Sequence, residues 1–397
     1  MDVHITLLTL GGLFAIGLAT DAIARRFHLP RVTLLILFGV LAGPGIFNII
    51  PGQVDGWYDL LATTALTMVA FLLGGSLTKD QMLAHGRQIM AISISVVIVT
   101  ILLVSAGFIL AGFDPALALV LAGIAAATDP AAIRDVIRQY GYKGSFSDTL
   151  KGIVAIDDLW GLLAFSFLLV GVNALGGNGT TDVLLEGLWE LGGAIAVGAG
   201  IGLPAAYLTG RLKEGEPMQI EALAVVFLCA GLSVWLGVSF LLAGVVAGMI
   251  VVNFASHHTY PFHEIENIEG PFMMLFFVLA GASLEMEHWQ EFGFLIMAFV
   301  FLRTLSRIIG GWIGARIGKA PASYGHWMGT AMLPQAGVAV GMALVAGNKL
   351  PDYREVILSV TIMTTILFEV FGPLVTQIAL SKADSPSETS QTDEGTG

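Results

Sequence analysis

Charge is scarce in this chain. Only 12% of its 397 residues are Asp, Glu, Lys or Arg, against roughly 25% in ordinary soluble domains. Cysteine is nearly missing too: a single residue, Cys229, stands in an apolar stretch. An internal disulfide is excluded, so the fold must hold by packing. No basic residue precedes the first apolar run, which starts Met-Asp-Val-His, and the basic cluster Arg25, Arg26 and Arg31 follows it. That order lacks the form of a secretory signal and reads as an uncleaved anchor. Polar stretches long enough for a soluble domain are lacking as well. Together these shortages exclude a soluble enzyme, a disordered chain and a nucleic-acid binder. What fills the chain instead is apolar: 56% of residues are hydrophobic, and mean hydropathy is +0.83. A membrane span takes about 20 apolar residues, so the expected fold class is an all-α polytopic membrane protein. The net charge of −12 carries no partner preference, because in such a protein the position of each charge matters.

Apolar runs give thirteen expected spans, near 3–24, 31–50, 57–77, 88–111, 115–137, 148–173, 183–210, 219–236, 239–254, 268–285, 292–315, 324–347 and 354–380. Loops on one side hold 14 of the 18 Lys and Arg; the other side holds only Lys349 and Arg354. The positive-inside rule then places the N-terminus outside and the C-terminus in the cytoplasm, in an inner or plasma membrane of prokaryotic type. Residues 1–380 form the expected transmembrane domain. The tail 381–397 is polar and acidic and is expected to be disordered.

The chain also reads as a duplication. Phe38-Gly39-Val40-Leu41-Ala42-Gly43 resembles Ala243-Gly244-Val245-Val246-Ala247-Gly248 at an offset of 205. Phe71 to Leu77 resembles Val278 to Leu284 at an offset of 207, and Pro130 matches Pro334 at 204. Repeat one would cover about 31–173 and repeat two about 239–380. Seven spans separate matching pairs, so the copies would be inverted in the membrane, an organisation common among secondary transporters.

Six charged residues fall inside spans: Asp129, Asp157, Asp158, Arg303, Arg307 and Glu369. Such residues are expensive in a bilayer and functional by default. Asp157 and Asp158 are neighbours on one helix, so they point about 100° apart and need different partners. They lie roughly 10 Å from Lys151, and Arg307 lies roughly 13 Å from Arg316, a matching depth; Arg307 is the expected charge-compensating partner. Arg303 falls near the depth of Glu369, and a structural ion pair between them is expected. Pro130 and Pro334, the latter followed by Gln335, interrupt two spans at corresponding places. Each break frees backbone groups that must face protein, water or an ion. Burial raises a carboxylate pKa and nearby positive charge lowers it. A carboxylate balanced between the two can exchange a proton for a monovalent cation. Thr128, Asp129 and freed carbonyls would complete an oxygen-rich site. The transported metal ion would then sit at Asp158 and Asp157. No cofactor is expected. His257, His258 and His263 read as a solvated interfacial surface, with pH sensing as the sharper reading. Six tryptophans, among them Trp160, Trp189 and Trp312, read as interface anchors, mostly near span ends.

These residues resemble the monovalent cation:proton antiporter superfamily, closest to the sodium/proton exchangers of the cation:proton antiporter-2 (Kef/NapA-like) family. The carrying pieces are LFGVLAGPG at 37–45, ATDP at 127–130, GIVAIDDLWGL at 152–162, PFMMLFFVLAGASL at 271–284 and SRIIGGWIGARIG at 306–318. The resemblance implies the NhaA/NapA-like antiporter fold, with the fifth and twelfth spans crossing at unwound centres. Asp158 would carry the ion and Asp157 would pair with the basic residue of the eleventh span, here Arg307. Spans 4–6 and 11–13 would form a moving core against a scaffold of spans 1–3 and 8–10, with span 7 as linker, in a homodimer working as an elevator. Na+, Li+ or K+ would exchange for protons. Two departures stand out. Many relatives have Lys where this chain has Arg307, and arginine does not deprotonate in proteins, so a scheme using it as a proton carrier fails. The Thr128-Asp129-Pro130 run looks more like the cation:proton antiporter-1 branch. Competing readings are a sodium-coupled organic solute symporter of a related fold, and a channel or non-transporting sensor.

Overall fold

A computed structural model describes residues 3–27, 31–44, 46–47, 49–50, 55–75, 86–142, 144–175, 180–209, 218–255, 259–283, 292–335 and 337–384. The described residues form helices joined by turns, as a lipid solvent demands: within a bilayer each backbone N–H and C=O must be satisfied inside its own segment. In chain order these are α1 (Val3–Phe27), α2 (Arg31–Ala42), α3 (Asp55–Gly75), α4 (Arg87–Leu110), α5 (Pro115–Ala125), α6 (Pro130–Gln139), α7 (Ser145–Leu175) and α8 (Thr180–Thr209). There follow α9 (Met218–Leu236), α10 (Phe240–Phe254), α11 (Thr259–Ala282), α12 (Gly293–Ile317), α13 (Gly325–Ala331), α14 (Gly337–Lys349) and α15 (Arg354–Ala383). Among the described residues, nine apolar stretches are long enough to cross a membrane, and three shorter apolar helices accompany them.

Not every expected span is a continuous helix, and each interruption has a local cause. The expected span 115–137 is two helices, α5 and α6, each opened by a proline. The expected span 324–347 is likewise split into α13 and α14. The expected span 31–50 stops being helical at Ala42, just before Pro44; Ile49 and Ile50 then donate back to the Ala42 carbonyl at 2.9 and 3.0 Å. The residue before a proline is pushed away from helical geometry. The expected loop before residue 268 is helical from Thr259 onward, so His263 stands on α11 and not in a loop; it pairs with Glu266 at 3.7 Å. His257 and His258 lie outside the described residues. Residues 381–383 of the expected tail are helical. Helix α15 runs to Ala383, and buried Asp384 accepts from the backbone N–H groups of Phe146 and Ser147, at 3.2 and 2.9 Å, at the start of α7. Residues beyond 384 lie outside the described residues.

The exterior is oily and the interior holds the charge. Leu8, Leu110, Trp235 and Phe301 are exposed, while Asp157, Arg303 and Arg307 are fully buried. This inverts the pattern of a protein in water. Trp312, under the Arg316 guanidinium, stands near the end of α12, and Trp189 donates to the carbonyl of Leu236 at the end of α9. Trp160 does not stand near a helix end: it lies two residues past Asp158 in the middle of α7.

Glycine fixes how the helices meet. A Cβ built on Gly39 would lie 2.0 Å from the Val278 carbonyl oxygen, and one on Gly281 would lie 2.1 Å from that of Ile36. Helices α2 and α11 therefore touch backbone to backbone. The same holds for α3 and α10: a Cβ on Gly74 would be 2.1 Å from the Val245 oxygen, and one on Gly248 would be 2.0 Å from that of Phe71. Only glycine permits this approach. Each of the two glycine runs in one half thus packs on the non-equivalent run of the other half. Helices α4 and α12 pair in a similar way, with Gly310 and Gly314 against Val96 and Ile92. Gly311 and Gly329 then seat α13 directly on the backbone of α12 beside Arg307.

Candidate ion site at two helix breaks

The first break is Ala126 to Asp129, between α5 and α6. The second is Met332 to Gln335, ahead of α14. They meet: the Asp129 N–H donates to the Pro334 carbonyl at 3.0 Å. Each break follows from its sequence. Proline opens α6, where its missing N–H is not needed, and Asp129 caps that helix by accepting from Ala131 and Ala132 N–H at 2.9 and 3.1 Å. At the end of α5 the last carbonyls have no partner within the helix and carry the negative end of its dipole. Two guanidinium groups from α12 supply the missing donors. Arg303 donates from Nε to the Ala125 carbonyl at 3.1 Å, from Nη2 to Ala127 at 2.8 Å, and from Nη1 across to Leu333 in the second break at 2.7 Å. Arg307 Nη2 reaches the carbonyls of Ala125, Ala126 and Ala127.

The adjacent aspartates of α7 divide as their angular separation requires. Asp157 turns inward. Its Oδ2 accepts from Arg307 Nη1 at 3.0 Å and from the Thr128 hydroxyl, and neither side chain of that ion pair is exposed. Asp158 turns the other way. Its Oδ1 accepts from the Thr128 backbone N–H at 3.2 Å, and its carboxyl lines a cavity of about 780 Å³. Among the described residues no cation pairs with Asp158. Arg31, Arg134, His263, Glu266 and Glu269 line the same cavity together with Asp129.

Thr128, Asp129, Asp157, Asp158 and Arg307 are thus brought into one cluster, with Pro130 and Pro334 at its two breaks. Gln335 is fully buried, and neither its amide nitrogen nor its oxygen has a partner. Two expectations need correction. Arg303 and Glu369 form no ion pair. The guanidinium is taken up by three carbonyls and lies over the Phe368 ring at 4.2 Å, while Glu369 Oε2 accepts from the Thr33 hydroxyl at 3.2 Å. Nor are the carbonyls of Ala125, Ala126 and Ala127 left free for an ion, because each already accepts from arginine. The cavity residues Glu266 and Glu269 were not singled out from sequence; with His263 they recur at three-residue intervals, and that spacing is the signal for one helical face.

A buried cluster of acids and arginines, held on broken helices and opening to a cavity within an oily exterior, is the arrangement of a multi-pass membrane transporter. The chain belongs to the sodium/hydrogen exchanger transmembrane family, whose model matches residues 11–382. It is 24% identical over 373 residues to the Na(+)/H(+)-K(+) antiporter GerN of Bacillus cereus, covering 89% of this chain and 92% of that one. It is 22% identical over 365 residues to a Na(+)/H(+) antiporter of Enterococcus hirae, with the same two coverages. Its fold is similar to that of the sodium proton antiporter MjNhaP1 from Methanocaldococcus jannaschii, with a TM-score of 0.77 at 17% identity, covering 96% of this chain and all of that one.

Proposed function

We propose that this chain is a secondary transporter that exchanges Na+ for protons at Asp158. The carrying observation is the contrast between the two aspartates. Asp157 is held by a guanidinium, whereas Asp158 faces the cavity with no cationic partner among the described residues. A carboxylate in that position needs a counter-charge, and either a proton or a monovalent cation supplies it. Occupation by one excludes the other, and exposure of the site to each side in turn makes the exchange obligatory. The Thr128 hydroxyl, bound to Asp157, and the Asp129 carboxyl stand beside the site to help hold the cation. Arg307 keeps its charge throughout and positions Asp157; it carries no proton.

The finer reading follows from the same residues. Thirteen spans result when α5 with α6 and α13 with α14 each count as one broken span and α2, α3 and α10 each cross. The two broken spans then cross at the Asp129–Pro334 hydrogen bond. With the basic loops inside, the cavity mouth at Arg31, Arg134 and His263 opens to the cytoplasm. Helices α4–α7 and α12–α15 would move as an elevator core against α1–α3 and α9–α11 in a homodimer, with Li+ and K+ as further candidate ions. The Asp157-Asp158 pair supports a reading nearest the cation:proton antiporter-2 branch.

The test is a pH-dye assay in proteoliposomes challenged with Na+, Li+ and K+. Wild-type protein releases internal protons on cation addition, and Asp158→Asn, folded and monodisperse, does not. Cation-evoked proton movement at wild-type rate in Asp158→Asn would refute the assignment.

A further inference from the structure

We propose that Glu369 is a positioning residue that fastens α2, one wall of the cavity, to the second helix break; this rests on the alternating-access reading above. Glu369 is buried, and its expected partner Arg303 is engaged elsewhere. It points instead at the beginning of α2. Its Oε2 accepts from the Thr33 hydroxyl at 3.2 Å, and the carboxyl faces the first-turn N–H groups of Val32 and Thr33. That end of a helix carries partial positive charge and favours a carboxylate.

The other side of the fastening is the same stretch of α15. Phe368, the residue before Glu369, lies under Arg303. Gly372, three residues on, lets α15 approach the second break so closely that a Cβ there would be 2.7 Å from the Pro334 Cα. Thr376 donates to the Ala331 carbonyl at 2.9 Å. Val32 and Leu35 of α2 line the cavity that reaches Asp158, and the glycine contacts lock α2 to α11. When the broken helices move relative to α2 and α11, the contact at Glu369 must part, as must the packing of Gly337 on Phe277. The Glu369 contact therefore belongs to the state whose cavity is open to Asp158, and it favours that state.

The test reads cavity access, not transport, so it remains informative even if the vesicles move no protons. Val69, which lines the cavity, is replaced by cysteine in a Cys229→Ala background. Its modification by a small charged thiol reagent is then timed in the wild-type frame and in Glu369→Ala, Glu369→Gln, Thr33→Val and Thr33→Val/Glu369→Ala. The Glu369→Ala variant is expected to be modified about tenfold more slowly, reflecting a smaller open population. Glu369→Gln, which keeps an oxygen for Thr33, should fall between it and wild type. The double variant should be no slower than Glu369→Ala alone, because both changes remove one contact. Unchanged modification in folded Glu369→Ala overturns the proposal, and so do additive effects of the two substitutions. If the alanine variant does not fold, the near-isosteric glutamine decides: a slowing of about twofold or more supports the fastening, and none overturns it.

Discussion

Removing Arg307 should damage this protein more than removing the charge it neutralises. The reason lies in who else can serve each partner. Arg307 holds Asp157 and reaches the carbonyls of Ala125, Ala126 and Ala127. Arg303 also serves Ala125 and Ala127. Arg307→Ala therefore strands one carbonyl, that of Ala126, and one fully buried carboxylate. The stranded charge alone costs about 3–5 kcal/mol, and the orphaned carbonyl adds roughly 1–3 kcal/mol. Asp157→Asn is milder. The guanidinium keeps its carbonyl acceptors, and the Asn oxygen can still accept from Arg307 and from the Thr128 hydroxyl, so the loss is of the order of 1–3 kcal/mol. The double variant should be less damaged than the two single losses combined, since the charge stranded by Arg307→Ala is then gone. Thermal unfolding in detergent, followed by tryptophan fluorescence, ranks the three proteins. A midpoint for Asp157→Asn at or below that of Arg307→Ala would refute the reasoning, and so would strict additivity in the double variant.

Three further outcomes are expected. Because a proton and a cation compete for Asp158, the apparent KM for Na+ should rise as pH falls, approaching about tenfold per pH unit where the proton holds the site, by simple mass action; initial rates of dye response across a pH series measure this, and a pH-independent KM would contradict competition. Gly248→Ala should lower stability by about 1–3 kcal/mol, because its methyl would strike the Phe71 carbonyl, an overpacking cost. Gly11→Ala, with nothing within 4 Å of the added atom, should leave the unfolding midpoint in place. Asp384→Ala removes the acceptor for the Phe146 and Ser147 N–H groups at the start of α7 and should cost about 1 kcal/mol, read as a lowered midpoint with Na+ affinity unchanged.

Much of this architecture was legible because lipid simplifies the rules. Apolar runs became helices nearly where the hydropathy placed them, since no other local structure satisfies the backbone in a bilayer. The breaks were legible from Pro130 and Pro334, whose rings cannot sit in a helix interior without cost. The glycine runs were legible as similar segments, but not their crossed pairing: likeness does not say which segments touch. Helix ends were harder. Polar residues 259–267 looked like a loop, yet they open α11, and His263 and Glu266 among them line a cavity that sequence alone does not reveal.

The site was read well where the partners were side chains and badly where they were backbone. Depth along the helix placed Arg307 level with the aspartate pair, the resemblance pointed to Asp157, and the ion pair at 3.0 Å is there. The same depth argument paired Arg303 with Glu369 and failed. A carboxylate announces itself in the sequence, whereas a carbonyl left without its N–H does not. Once two helices are broken, the end of α5 and the second break present several unpaired carbonyls in a region without bulk water. A guanidinium has five N–H groups in a rigid fork, suited to gathering them, and Arg303 joins Ala125 and Ala127 of one break to Leu333 of the other. The two arginines thus have different duties despite being one turn apart. Arg307 divides its donors between a charge and a helix end, and Arg303 spends all of its recorded donors on backbone. It follows that a buried cation near a proline-broken span should be assigned to the break before it is assigned to the nearest acid. By that ordering Glu369 is released to find the positive end of α2, where the structure places it.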